Sequence, residues 1–269
     1  MRSQKSPAGG RGRGAPSRGV AERAIEVGRD GVASGYVRLA RRARGLARAS
    51  GALDALDRRR DRRLPLFLRS LFAVHDIEDL GELDLPWWTF DAIERVDAFL
   101  RSRGGRARAF EYGAGASTLW LSRRCARVVS VEHDRQWWPP LAAHLRRLDN
   151  VEARCIPPVP SRAPACASRR AGWSGLDFSP YVRAIRQARG PFDLIVIDGR
   201  ARSSCLREAL GHLARGGLVV FDNADRRRYA PAIARSGLAI ERFGGLAPAM
   251  FWPSQTALLT REEEVAAAA

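Results

Sequence analysis

From residue 108 to residue 261 the chain alternates short runs of β-branched and apolar residues with stretches of helical spacing. No other feature constrains its fold as much. Residues 108–112, 128–132, 151–156, 192–198 and 217–222 predict strands, and 117–124, 137–148, 181–188, 203–213 and 230–235 predict the helices between them. The run Phe192-Asp193-Leu194-Ile195-Val196-Ile197 is apolar at nearly every position. A strand of that kind has to be covered on both faces, as in a parallel sheet flanked by helices. Two last runs, 238–244 and 255–261, predict a closing pair of strands. The expected fold class is α/β, a doubly wound and mostly parallel sheet of seven strands.

The chain ahead of this pattern reads differently. Residues 1–19 are rich in Gly, Arg, Ser and Pro, have little to bury, and predict a disordered tail. Residues 20–84 predict a helical N-terminal extension, with Val20, Ala24 and Val27, then Val37, Ala40 and Leu46, at helical spacing. Within it, residues 65–74 predict a short helix. Thr89 can cap a helix over 90–103 that carries Ile93, Val96, Phe99 and Leu100 on one face and stops at Gly104 and Gly105. The α/β domain then covers 85–261, and 262–269 form a second disordered tail.

Charge is the feature that most tempts toward nucleic acid. Lys and Arg number 46 against 29 Asp and Glu, a formal net charge of +17. Yet Lys5 is the sole lysine, and the arginines are spread along the whole chain. That distribution reads as codon bias, so nucleic acid is not the expected partner, although the charge raises non-specific affinity for polyanions at low salt. Cys125, Cys155, Cys166 and Cys205 are scattered without a CxxC pair, which argues against a disulfide framework or a zinc site. No run of ~20 apolar residues predicts a membrane span. The first residues lack the apolar core of a secretory signal. A cytoplasmic protein is expected; its oligomeric state is not legible.

The segment Phe110-Glu111-Tyr112-Gly113-Ala114-Gly115-Ala116-Ser117 lies between a predicted strand and a predicted helix. Gly113 and Gly115 permit tight backbone geometry and close approach of a ligand, and the helix start behind them offers unpaired N–H groups. Seventeen residues past Gly115 the next strand ends in Glu132, where a carboxylate can accept both hydroxyls of a ribose. A dinucleotide fingerprint wants a third glycine where this chain has Thr118.

The pattern acid-x-Gly-x-Gly-x-small, set by Glu111, Gly113, Gly115 and Ser117, resembles the first motif of class I S-adenosylmethionine-dependent methyltransferases. Phe192 to Gly199 looks like the family's fourth motif, and Leu213 to Val220 like the glycine turn before its fifth strand. The resemblance spans about residues 86–261. Leu85-Pro86-Trp87-Trp88-Thr89 followed by Phe110-Glu111-Tyr112-Gly113 also looks like a bacterial branch of the family. It implies a Rossmann-like sheet whose last strand is antiparallel, and S-adenosyl-L-methionine as cofactor. By the same resemblance, Glu111, Tyr112, Gly113, Ala114 and Gly115 would line the methionine half, and Ser117 and Thr118 would sit near its carboxylate. Glu132 would hold the ribose, His133 would lie beside the adenine, and Asp198 would border methyl transfer. In the metal-dependent members an Asp after strand four and an Asp-Asn pair after strand five ligate Mg2+. The matching residues here are Asp198, Asp222 and Asn223, although Arg200 and Arg202 stand where those enzymes carry a lysine.

The expected function is methylation, on oxygen, of a small-molecule or glycan-type acceptor. The alternatives are an NAD-dependent oxidoreductase and a non-catalytic binding module of the same fold. Asp225 and Tyr229 are candidate substrate contacts. Trp87, Trp88, Trp137 and Trp138 could cover a pocket or belong to the core. The proline-rich stretch 157–180 could be a binding loop or a disordered surface loop.

Overall fold

A computed structural model describes residues 39–40, 43–73 and 77–261. The expected tails, 1–19 and 262–269, and the extension up to residue 38 lie outside them. Helices α1 (Ala52–Asp57), α2 (Arg63–Ser70), α3 (Ile77–Leu83) and α4 (Phe90–Ser102) lead into strand β1 (Arg108–Tyr112). Then follow α5 (Ala116–Ser122), β2 (Arg127–Glu132), α6 (Trp138–Leu145), β3 (Val151–Cys155), β4 (Val159–Pro160), β5 (Leu176–Asp177) and α7 (Ser179–Val182). The last elements are β6 (Phe192–Ile197), α8 (Arg202–Ala209), β7 (Leu213–Asp222), α9 (Ala230–Ala234), β8 (Ala239–Gly245) and β9 (Ser254–Thr260).

Seven strands form one sheet in the order β3-β2-β1-β6-β7-β9-β8. Strands β1, β2, β3, β6 and β7 run parallel, and β9 lies antiparallel to both β7 and β8. Chain order reverses between β1 and β6, so the helices that follow these two strands, α5 and α8, lie on opposite faces and leave a crevice at the sheet's carboxyl edge. Strand β6 is buried from Leu194 to Ile197, as its unbroken apolar run predicts.

Strand β1 shows how side-chain alternation divides labour. Phe110 and Tyr112 join one apolar cluster with Tyr181 and Phe192. Glu111 faces the other way, toward β2 and α5, where it meets Ser117, Thr118 and Ser130.

The helical segment before β1 is held together by ion pairs of its own and tied to the sheet domain by others. Arg69, 4% exposed, donates to Asp57 of α1 and to Asp79 of α3. Arg124 reaches Asp84 at 2.5 Å and Asp97 at 2.7 Å. Thr89 precedes α4 as expected but its side chain does not cap the helix. Its hydroxyl donates to Phe243 O at 3.3 Å, a partner on β8 that the local sequence does not reveal. Stretch 157–180 is ordered by the β4–β5 pair and by Asp177, whose Oδ1 accepts from Cys166 N at 2.9 Å and Ser179 Oγ at 2.7 Å. All four cysteines are free thiols. Among the described residues no helix is long and apolar enough to cross a membrane.

Candidate active site

Strands β1 and β6 end side by side, with Tyr112 opposite Ile197. The chain leaves β1 through Gly113 at φ 102, a conformation in which side chains are strained. A β-carbon on Gly113 would lie 2.7 Å from Gly199 N and 2.9 Å from Gly199 Cα. The loop after β1 therefore rests directly on the backbone that follows β6. Gly115 has a different role: its φ of −179° is open to any residue, and a β-carbon there would meet no atom within 4 Å. Glycine at 115 leaves room in a cavity of about 320 Å³ that it lines with Gly113, Ala114, Glu132, His133 and Asp198.

Glu132 is held in place by backbone. Ala114 N donates to its Oε2 at 3.1 Å, and His133 N and Asp134 N donate to its Oε1 at 2.8 and 2.7 Å. A carboxylate fixed by three donors at the end of β2 keeps further lone pairs for a ligand's hydroxyls. His133 lines the same cavity and packs against Trp173, Phe178 and Tyr181, with ring centroids 5.1, 5.8 and 5.5 Å away. Trp137 donates its indole N–H to Ala114 O at 3.1 Å and stands 6.4 Å from Trp87 across the cavity wall. Trp88 belongs to the core, edge-on to Trp120, and Trp138 packs against the cluster of Leu141 and Leu145.

Glu111, Tyr112 and Thr118 stand behind the cavity rather than in its wall, each 0% exposed. Tyr112 donates its hydroxyl to Val182 O at 2.7 Å. Glu111 accepts from the hydroxyls of Ser117, Thr118 and Ser130 at 2.5, 2.5 and 2.6 Å. Thr118 Oγ1 in turn accepts from Gly115 N at 3.0 Å, the bond that shapes the start of α5. Ser117 lines the cavity, but its hydroxyl is spent on Glu111 instead of capping the helix.

Burial pushes the Glu111 carboxyl up to about 7, against the opposing pull of its three hydroxyl donors. A carboxyl raised in the folded state binds its proton there more tightly than in the unfolded chain. Stability is then highest below the ordinary carboxylate range and falls as pH rises toward 7, by at most about 1.4 kcal/mol per pH unit for one proton. Urea unfolding of wild type and Glu111→Gln at pH 5, 6, 7 and 8 should show this fall in wild type and a flatter profile in the variant. Parallel profiles would remove Glu111 as its source.

At the other side of the cavity, Asp198 follows β6 and Asp222 with Asn223 ends β7, as expected of a metal triad. Their donor set does not fit one. The Arg202 guanidinium, 4% exposed, lies between the two carboxylates, 2.7 Å from Asp198 Oδ1 and 3.7 Å from Asp222 Oδ2. It also donates to the carbonyls of Asp198, Gly199 and Asp222. Asn223 Nδ2 donates to Asp222 Oδ2 at 2.6 Å, and Thr256 donates its hydroxyl to Asp222 Oδ1 at 3.0 Å. The positive charge that the buried Asp222 and the half-buried Asp198 need is supplied by the chain itself. A divalent ion bound by all three residues would have to displace a guanidinium that donates four hydrogen bonds or sit against its charge. Among the described residues no three His, Cys, Asp or Glu side chains converge to hold a metal. Burial raises both carboxyls, and Arg202 pulls each back. Asp198 lines the cavity; Asp222 does not.

Sequence reasoning did not foresee Arg202 as the partner of Asp198: Arg202 opens α8 and Asp198 precedes it across a turn with Ala201 at φ 50, so the pair is not one of helical neighbours. Arg170, brought to the cavity by the 157–180 stretch, had no local signal at all. Of the proposed substrate contacts, Tyr229 lines a second cavity beside the first, and Asp225 lines neither.

No protein-family model and no curated protein matches this chain. Solved structures share its fold. An O-methyltransferase from Bacillus cereus, in complex with S-adenosylhomocysteine, is 19% identical over 69% of this chain and 90% of its own, with a TM-score of 0.50. A Klebsiella pneumoniae protein assigned as an O-methyltransferase is 17% identical over 74% of this chain and 90% of its own, also at 0.50. Strand order, the antiparallel β9 and these two alignments agree that the chain has the Rossmann-like fold of the class I S-adenosylmethionine-dependent methyltransferases.

Proposed function

We propose that the protein methylates an oxygen of a small-molecule acceptor with S-adenosylmethionine as donor, and that it does so without a metal. The observation that carries the reading is the cavity at the carboxyl edge of β1 and β2. There Gly115 leaves open space and Glu132 presents a carboxylate already fixed by three backbone N–H groups. The Bacillus cereus neighbour, an O-methyltransferase with S-adenosylhomocysteine bound, supports the same donor and acceptor atom.

Gly113, Ala114, Gly115 and Ser117 would face the methionine half, Glu132 the ribose hydroxyls and His133 the adenine. Glu111, Tyr112 and Thr118 shape this wall from behind. When bound, the cofactor supplies an electrophilic methyl on sulfur. The chain's contribution is positioning and exclusion of water, which suffices for much of the rate when the methyl donor is intrinsically reactive. Asp198 is anchored by Arg202 with its carboxyl at the cavity, and it takes the acceptor hydroxyl's proton. Arg202 stays charged and cannot act as a base.

Calorimetry with S-adenosylhomocysteine tests the donor site: no heat of binding with folded protein, together with binding of NAD, would transfer the fold to an oxidoreductase. Binding without turnover on any nucleophile of a cell extract would mark a non-catalytic module. The metal-free reading has its own expected result. Label transfer from S-adenosylmethionine should be the same in EDTA as in added Mg2+. Activity lost in EDTA and restored by Mg2+ would overturn it.

A further inference from the structure

A second cavity, of about 370 Å³, adjoins the first and shares Arg170, Arg200 and Arg202 with it. Its remaining charged lining is Arg169, Arg228 and Arg235, and no carboxylate lines it. Three chain segments far apart in sequence build it: the 157–180 stretch, the start of α8, and the turn into α9. We infer that this cavity is the acceptor site and that it takes a small molecule bearing a phosphate ester, a reading that rests on the methyl-transfer function proposed above.

Arg200 borders both cavities. It is half-buried at the junction of the two cavities, and its Nε has no hydrogen-bond partner among the described residues. Burial and the like charges of Arg170 and Arg202 push its pKa down to about 10, so it remains cationic at neutral pH but in an unfavourable setting. A half-buried guanidinium with an unpartnered Nε, set beside the like charges of Arg170 and Arg202 in a cavity whose lining holds no carboxylate, carries a cost. An anion relieves that cost, and a phosphate group suits several planar forks at once. Ser203 and Ser204 add hydroxyls to the wall, and Ala201, the residue before α8, puts that helix's positive end there.

Two features favour a small molecule over a nucleic acid strand. The cavity has the volume of a ligand pocket. Its one aromatic side chain, Tyr229, is 8% exposed and already packed edge-on against Phe221, which leaves no open ring for a base to stack on. Because Arg200 and Arg202 border both cavities, an acceptor anchored by its phosphate in the second would extend toward Asp198 in the first.

The test is calorimetric titration of the full chain with pyrophosphate and, separately, with S-adenosylhomocysteine, in wild type, Arg200→Gln and Arg235→Gln. Circular dichroism establishes that each variant is folded. Pyrophosphate should bind wild type, and each substitution should weaken it about tenfold, the loss expected for one charged contact. Arg235→Gln, which touches only the second cavity, should bind S-adenosylhomocysteine as wild type does. No pyrophosphate binding, or equal affinity in all three proteins, overturns the site. An RNA oligonucleotide that binds more tightly than pyrophosphate and loses affinity in the same variants overturns the small-molecule acceptor. Transfer of labelled methyl to the small-molecule fraction of a cell extract should fall after phosphatase treatment, and undiminished transfer overturns the phosphate. Failure of S-adenosylhomocysteine to bind wild type would count against the methyl-transfer reading, and the pyrophosphate arms would still judge the anion site by themselves.

Discussion

Gly113→Ala is expected to lower the melting temperature by roughly 6–12 °C, the shift that about 3 kcal/mol produces in a domain of this size. Two separate costs lead to that figure. The backbone at residue 113 has a φ of 102°, which a side chain adopts only with strain of about 1–2 kcal/mol. The new methyl would also lie 2.7–3.0 Å from backbone atoms of Asp198 and Gly199, and overpacking of that kind costs about 1–3 kcal/mol. Backbone cannot swing aside as a flexible side chain can, so β1 and β6 would have to part at the edge where the cavity lies. Cofactor affinity should fall with stability. Gly115→Ala provides the contrast: its methyl meets no protein atom within 4 Å, so the melting temperature should stay near wild type while affinity for S-adenosylhomocysteine falls. Differential scanning calorimetry of both variants reads the difference. A Gly113→Ala protein as stable as wild type would show that the loops after β1 and β6 do not touch as described.

Glu132→Ala is expected to weaken S-adenosylhomocysteine binding about a hundredfold, because two charge-assisted hydrogen bonds to the ribose are lost at about 1.5 kcal/mol or more each. The carboxylate also joins the loop after β1 to the end of β2, since it accepts from Ala114 N on one side and from His133 N and Asp134 N on the other. Its removal frees three donors, which water in the open cavity can satisfy. Glu132→Gln keeps one good acceptor and should lose about tenfold, one bond's worth. Isothermal titration of the three proteins measures the series. Unchanged affinity in Glu132→Ala would mean that the ribose binds elsewhere, and with it the whole orientation of the cofactor.

Much of the fold is legible in the sequence. The strand–helix alternation from residue 108 onward is a local pattern, and each predicted strand has its counterpart, from β1 to β9, with ends shifted by a few residues. The short β4–β5 pair had no such signal. Its two-residue strands are too brief for any periodicity, and Asp177 organises them through hydrogen bonds across eleven residues. The helix predicted over 181–188 is instead a short α7 followed by a 3-10 turn, Arg183–Gln187.

By itself the sequence determined the class of sheet, the glycine loop after β1 and the acid at the end of β2, because each is set by residues close together in the chain. The tertiary structure decided what those residues face. Strand register brings Ser130 opposite Glu111, so the acid of the first motif is enclosed by hydroxyls behind the cavity. The parallel pairing of β6 with β7 sets Asp198 and Asp222 on either side of Arg202, and a guanidinium takes the place expected for a metal. Arg170 meets Arg200 only because the stretch between β3 and β6 folds back over the sheet's edge. Apart from the Asp198–Arg202 pair, such contacts join residues far apart in the chain. Local propensity carries no information about them, since packing and the neutralisation of buried charge select them once the strands are in register.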